Sequence, residues 1–414
     1  MQRRGGRWAV GERLSVAALL LGIGVASGCI GRVPGPVILV GLDAFGWDFR
    51  SKTDTPNLDR IAAAGVVAEW MVPVFPTKTF PNHYSIATGL YAEHHGIVAN
   101  TMYDPDLDAW FRLSDREAVM DGRWWGGEPV WVTAARHGFT TAAYFWPGTE
   151  AAISGIRPDR WKPYVHTTPN DVRVDTVLSW LDLPPEERPS LITMYFADVD
   201  DATHAHGTDA PETLAAIREV DRAVGRLLRG LETRGILERV TVVIVSDHGM
   251  ADVARDRVIF LDDYIEVDEV EIIDRDPLAA LRPRPGDEDR IYGALDGAHP
   301  HLQVYRKVGI PDRWHFRDSP RIQPIQALAD EGWSISGRNY FETHPNAYRG
   351  ATHGYDNALP SMRATFLAMG PAFKRGVTVP PFQNVHVYEL LCHALGIPPA
   401  ANDGSLDSVQ AMLR

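Results

Sequence analysis

Asp43, Asp200, His204, Asp247, His248 and His353 are the side chains whose types and spacing could do chemistry together. Asp43 closes an apolar run. Asp200 and His204 stand four apart in "ADVDDATHAHG", Asp247 and His248 are adjacent in "IVSDHGM", and His353 opens "HGYDN". Imidazole nitrogen mixed with carboxylate oxygen is a donor set that suits tetrahedral zinc. A four-residue step lets Asp200 and His204 face one ion from a single helical turn. Neighbours on a strand point apart, but at a strand end the chain can turn both Asp247 and His248 inward. Six such donors divide as three plus three, leaving positions open for substrate and nucleophile. A lone aspartate at a strand end is ordinarily a cap or turn former. The joint pattern carries the reading, because most of its members follow an apolar run.

The elements that must position these groups alternate between strand and helix. Val37–Leu42 and residues 140–145, 191–196 and 240–245 read as buried strands, and 57–64, 172–183 and 211–234 read as helices. This predicts an α/β layered sandwich with a mostly parallel central sheet. In open α/β sheets the ligand site lies beyond the carboxyl ends of the strands. Asp43, the acidic run 198–201 and Asp247 are therefore expected to converge. Between 251 and about 349 the pattern loosens and becomes richer in Asp, Arg and Pro, with β-like pieces at 258–261 and 301–305. We read 251–349 as a small inserted cap lobe within a catalytic domain of residues 30–414. Residues 364–369 then return to strand, and an apolar helical run follows.

The 414 residues suffice for one large core with room for such a lobe. Hydrophobic residues at 45% and charged residues at 23% are those of a folded globular chain. A formal net charge of −13 argues against an extended nucleic-acid-binding face, which needs clustered Lys and Arg. It leaves room for a small anionic substrate, since bound metal ions can set the local field. Residues 1–29 differ from the rest. Arg3, Arg4, Arg7 and Arg13 precede an apolar stretch, 16–25, which exits through Ala26, Ser27 and Gly28 to Cys29. This reads as an export signal, too short to span a bilayer. Its ending also looks like a lipoprotein box with lipid on Cys29; plain cleavage and secretion is the alternative. The expected location is outside the cytoplasm: periplasmic, secreted or lipid-anchored at the envelope. The second cysteine, Cys392, lies in the apolar helical run and is expected in the core, with no intrachain disulfide.

Residues 76–105 read "PTKTFPNHYSIATGLYAEHHGIVANTMYDP". Within them, "KTFPNHYSIATGLYAEHHGI" resembles the nucleophile motif of the nucleotide pyrophosphatase/phosphodiesterase family, within the alkaline phosphatase superfamily. "GGEPVWVTA" (126–134), "SDHGM" and "THGYDN" match further landmarks of that family in order. The resemblance spans 37–399, is weakest in the 251–349 segment, and is to the short bacterial type. It implies an alkaline-phosphatase-like fold and two Zn2+ per chain. Thr79 would attack phosphorus, giving a phospho-threonine intermediate that water hydrolyses. One zinc would be held by Asp43, Asp247 and His248 and would activate Thr79, whose hydroxyl also counts among the metal contacts. The other, held by Asp200, His204 and His353, would stabilise the leaving oxygen and then activate the water. Three ligand carboxylates against two divalent ions leave the site near about +1, so an anion can enter.

The resemblance also implies that Asn100 and the Thr79 N–H contact a non-bridging phosphoryl oxygen. A neutral amide there suits a diester, whereas an arginine would favour a monoester dianion. For a nucleoside, Phe80 matches one stacking face and Leu113 an apolar contact. Trp161 stands where the family usually has Tyr, and Tyr164 follows. The chain departs from the family pattern at Ala44 and Thr203, where glycines are usual, and in "DVD" for "EPD". His94 and His95 belong to the motif as braces. His206, Asp198 and Asp201 are set aside as ligands.

The expected activity is zinc-dependent hydrolysis of phosphodiester or pyrophosphate bonds in nucleotides and derivatives, releasing nucleoside monophosphates. The partner is then a small molecule rather than a nucleic-acid polymer. Two other readings stay open. A lipid or choline phosphodiesterase could use Phe80, Leu113 and Trp161 as its pocket. A non-catalytic, ligand-binding surface lipoprotein is the other, against which stand all six ligands and Thr79.

Overall fold

The computed structural model describes residues 35–414, so the export-signal and Cys29 expectations lie outside the described residues. Eight strands form the central sheet. Their order is Val377–Val379, Val66–Ala68, Phe366–Met369, Thr241–Val245, Val37–Leu42, Leu191–Phe196, Thr141–Tyr144 and Arg160–Lys162. Only Phe366–Met369 runs antiparallel to its neighbours; the other pairings are parallel. The β-branched and aliphatic runs predicted as strands are therefore buried on both faces, as parallel strands between helices must be.

Along Val37–Leu42 the side chains alternate between two cores. Val37 and Leu39 pack into the cluster that holds Tyr84, Ile86 and Leu390. Ile38, Val40 and Leu42 pack into the cluster that holds Leu58, Val174 and Val220. The helices Pro56–Ala64, Asn170–Leu181 and Pro211–Thr233 cover this second face, close to their predicted bounds. The helices Thr79–Thr88 and Val387–Leu395 cover the first. Cys392 is buried on the latter, and burial pushes its thiol up to about 12, which leaves it unreactive.

Within 251–349 the loose sequence pattern resolves into a four-stranded antiparallel sheet, ordered Val270–Asp274, Leu278–Pro283, Ile325–Ala329 and Leu302–Arg306, with its own apolar core. The short strand Ala251–Asp252 pairs antiparallel with Ala351–Thr352, so the segment leaves and rejoins the chain at one place. Among the described residues, no helix is long and apolar enough to cross a membrane.

Candidate active site

Register explains why the acidic groups meet. Leu42 pairs with Phe196 and Gly41 with Val245, so three neighbouring parallel strands end at one level. Asp43, the helix Asp198–His206 and the Asp247–His248 pair issue directly from those ends. Ala44 adopts a left-handed conformation, φ 56°, which turns its N–H onto Asp247 Oδ1 at 3.1 Å. A glycine would take this turn without the ~1–2 kcal/mol that a side chain adds. Thr203, the other departure from the family pattern, returns its hydroxyl to the carbonyls of Val199 (2.8 Å) and Asp200 (3.0 Å), so the helix continues to His204.

Three histidines share one arrangement. Nδ1 of His204 lies 2.9 Å from the Ala351 carbonyl, that of His248 3.0 Å from Gly249 O, and that of His353 2.8 Å from Thr77 O. A carbonyl only accepts, so each Nδ1 carries a proton and each ring turns its Nε2 towards the cluster. Those Nε2 atoms face carboxylates; burial holds the His353 ring well below the usual imidazole range, whereas at His204 burial is outweighed by attraction to Asp200, which raises it. His248 Nε2 is 3.0 Å from Asp247 Oδ2 and 3.6 Å from Asp43 Oδ1. His204 Nε2 is 3.4 Å from Asp200 Oδ1, and His353 Nε2 is 3.9 Å from the same atom.

Asp43 Oδ1, Asp200 Oδ1 and Asp247 Oδ2 are all buried without a hydrogen-bond donor. Two buried lone pairs facing each other are repulsive unless a cation lies between them. Donors ~2.0–2.2 Å from a tetrahedral zinc stand ~3.3–3.6 Å apart, the range these contacts bracket. The donor set therefore fits metal ions. The His248 and His353 rings stack at 3.7 Å, and Asp200, His248 and His353 also offer atoms within 4.8 Å of one another. The shorter contacts nevertheless put His248 with Asp43 and Asp247.

Burial, with repulsion from Asp247 and Asp200, pushes the Asp43 carboxyl well above the usual range. At Asp247 burial opposes ionisation, but His248 and His83 outweigh it and hold the group well below. Burial also opposes ionisation of Asp200, and attraction to His204 prevails there.

Thr79 opens the helix Thr79–Thr88, with its hydroxyl 3.4 Å from His248 Nε2. The positive end of that helix faces the same place as the hydroxyl. Asn100 Oδ1 accepts the Phe80 N–H at 3.0 Å, which fixes the amide so that its Nδ2 donors have no acceptor among the described residues. A cavity of about 360 Å³ is lined by Asp43, Thr79, Asn100, Asp200, His204 and His353, and also by Phe80, Leu113 and Tyr164. Asp247 and His248, both fully buried, lie behind it. Leu113 and Tyr164 are 38% and 36% exposed, unusual for large apolar groups and suited to contact with a planar or apolar ligand.

Trp161 is not brought to this cavity. It sits on the edge strand Arg160–Lys162 with its ring under the Arg157 guanidinium, 5.5 Å to the centroid. Beyond it the chain reaches the cavity at Tyr164 and His166, and the Tyr164 N–H is held by Glu150.

The family described as type I phosphodiesterase / nucleotide pyrophosphatase matches residues 37–356. The chain belongs to this family. It is accordingly a hydrolase, with the alkaline-phosphatase-like fold. Human ectonucleotide pyrophosphatase/phosphodiesterase family member 5 is 39% identical over 378 residues, 91% of this chain and 78% of that protein. The bis(5′-adenosyl)-triphosphatase enpp4 of Xenopus laevis is 37% identical over 379 residues, covering 91% and 81%. Among solved structures, the murine family member 5 superposes with a TM-score of 0.87 at 38% identity, over 92% of this chain and 100% of that one. An inactive threonine-to-alanine variant of the murine protein, in complex with AMP, matches with the same TM-score at 37% identity and equal coverage.

Two supporting residues of this phosphodiesterase fold escaped the sequence reading. Tyr195 donates its hydroxyl to Asp43 Oδ2. His83 places Nδ1 3.0 Å from Thr79 O and 3.3 Å from Asp247 Oδ2. Its Nε2 faces Gly41, where a Cβ would lie 3.0 Å away. Asp43, His83 and Asp247 offer atoms within 4.8 Å of one another, but the His83 Nδ1 proton is directed to the Thr79 carbonyl, so His83 buttresses Asp247. The signal for it was present: His83 follows Thr79 by four residues, the spacing that shares a helix face. His95 braces the helix Thr79–Thr88 through Ser85 Oγ at 2.9 Å, and burial lowers its pKa to about 3, keeping it neutral.

Proposed function

We propose that this chain hydrolyses phosphodiester or pyrophosphate bonds of nucleotides and their derivatives, releasing nucleoside monophosphates through a covalent intermediate on Thr79. The observation that carries the reading is the triple arrangement of Nδ1-anchored histidines, aimed at donorless buried carboxylates beside a hydroxyl at a helix N-terminus. Asp43, Asp247 and His248 would hold one zinc ion, and Asp200, His204 and His353 the other. Bound there, the two cations supply the positive charge that lets a threonine hydroxyl ionise near neutral pH and that neutralises a leaving oxygen.

The protein's own groups do the rest. Thr79 Oγ forms the bond to phosphorus as the bond to the leaving oxygen breaks. Asn100 Nδ2 and the Thr79 N–H donate to the non-bridging oxygen as its charge grows. Water then breaks the P–Oγ bond, releasing the monophosphate and restoring the hydroxyl. Lining arginines favour monoester dianions, but Arg116 is paired with Glu150 and so adds little net charge to the cavity. The names of the relatives, and the AMP held by an inactive threonine variant, support nucleotides as the substrate class.

The deciding experiment compares kcat/KM for the p-nitrophenyl ester of thymidine 5′-monophosphate with that for p-nitrophenyl phosphorylcholine on zinc-loaded protein. We expect the nucleotide to be preferred. Tyr164→Ala should erode that preference by ~10- to 100-fold through KM, as loss of one stacking face does. A preference for the choline ester that survives Tyr164→Ala would replace this reading with a lipid-headgroup phosphodiesterase. Export is part of the same reading, followed either by anchorage through lipid on Cys29 or by plain cleavage and secretion.

A further inference from the structure

Lys78 immediately precedes Thr79 but is not among the residues lining the cavity. Its side chain runs the other way and ends in an ion pair with Asp274, the last residue of the strand Val270–Asp274. The pair is largely buried, the two side chains being 6% and 18% exposed. Asp276 is also close by and buried, but its carboxylate is already engaged by the Ile335 N–H at 2.9 Å and the Ser334 hydroxyl. A buried ammonium needs a partner, and here Asp274 provides it.

The lysine stem reaches its partner through a gap left by a glycine. Gly354 has φ 111°, a conformation that side chains rarely adopt, and a Cβ there would lie 3.0 Å from Lys78 Cε and 2.8 Å from Pro277 Cδ. Gly354 follows His353, and its N–H donates to Thr77 Oγ1 at 2.9 Å, while His353 Nδ1 donates to Thr77 O. The Lys78 carbonyl accepts from Asn82 twice, through N–H at 3.1 Å and Nδ2 at 2.9 Å. The nucleophile turn, the His353 loop and the antiparallel sheet of the 251–349 segment therefore meet around one lysine stem.

We propose that Lys78 and Asp274 are positioning residues for the reaction: the pair draws the turn before Thr79 against the antiparallel sheet and so sets where the Thr79 hydroxyl and N–H stand. This deepens the reading of Thr79 as nucleophile and rests on it. It makes the 251–349 segment a part of the catalytic framework and more than a cover. Misplacement of a reacting group by about 1 Å can cost ~100-fold in rate without weakening ground-state binding.

A single variant such as Asp274→Asn leaves a buried ammonium unpaired and can fail to fold, so the test uses the double variant Lys78→Met/Asp274→Leu, which removes both charges. With the thymidine ester we expect its kcat to fall ~10- to 100-fold, with KM within about threefold of wild type and an unchanged metal content. Its melting temperature should lie above that of Asp274→Asn. Lys78→Arg keeps the pair and should recover kcat to within about fivefold of wild type. A double variant with wild-type kcat overturns the proposal, as does a loss confined to KM or a Lys78→Arg no better than the double variant. Thr79→Ala, run alongside, separates the two claims: if it keeps its activity, the nucleophile reading fails whatever the pair does.

Discussion

Thr79→Ala lowers turnover of a nucleotide diester by about 10⁴-fold or more, the scale on which removal of a covalent nucleophile acts, while the protein stays folded and keeps its metal. The two halves of this expectation have different causes. Loss of Oγ removes the atom that forms the new bond to phosphorus. Stability should change by less than ~1 kcal/mol, because the helix Thr79–Thr88 is fixed by other groups. Asn82 Oδ1 takes the Val74 N–H at 2.8 Å, Asn82 Nδ2 donates to Pro76 O at 3.0 Å, and Asn384 Nδ2 donates to Asn82 Oδ1 at 2.9 Å. Steady-state kinetics, a melting curve and metal analysis of the same preparation check it. A residual rate within about 100-fold of wild type would mean that water attacks phosphorus directly.

Asp247→Asn is expected to act on the metal itself. One oxygen of Asp247 holds the Ala44 N–H; the other lies 3.0 Å from His248 Nε2 and has no donor. An asparagine keeps the shape and loses the charge. Zinc content should fall from about two to about one per chain, and kcat by on the order of 10³-fold, since a bound cation supplies several kcal/mol to such a transition state. Elemental analysis after dialysis gives the first number without reference to activity. Undiminished zinc in Asp247→Asn would exclude this carboxylate as a ligand.

These two residues also mark what the sequence made legible. Asp43, Asp200 and Asp247 could be read because parallel strands are continuous apolar runs, and their ends announce where a ligand site must lie. Helices were legible within a few residues, since the amphipathic period of Pro211–Thr233 and the apolar run Val387–Leu395 each leave a local signature. The antiparallel sheet inside 251–349 left a weaker one: its strands are short, Val270–Asp274 and Leu302–Arg306 are partly exposed, and Ile325–Ala329 meets both its partners across long connections.

Tyr195 and His83 were missed for different reasons. The four-residue step from Thr79 to His83 was legible as a shared helix face, but not the carboxylate it would meet. The role of Tyr195 depends on which residue lies opposite across the sheet, a fact of register that no local pattern encodes. Tyr195 pairs with Gly41, one residue before the end of the strand that delivers Asp43. Trp161 shows the converse. The aromatic type fitted a stacking platform, but the edge strand carries the ring to Arg157, and Tyr164 takes the place at the cavity. The Lys78–Asp274 pair joins positions 196 apart in sequence, and neither residue alone is unusual.

The account stands most directly on two successive displacements at phosphorus, the first by Thr79. Each in-line displacement inverts the phosphorus centre. The measurement is the stereochemical course of hydrolysis of a nucleotide diester made chiral at phosphorus by sulfur substitution, carried out in oxygen-18 water. Net retention is the predicted result, and net inversion, which requires a single attack by water, would contradict the covalent intermediate on Thr79.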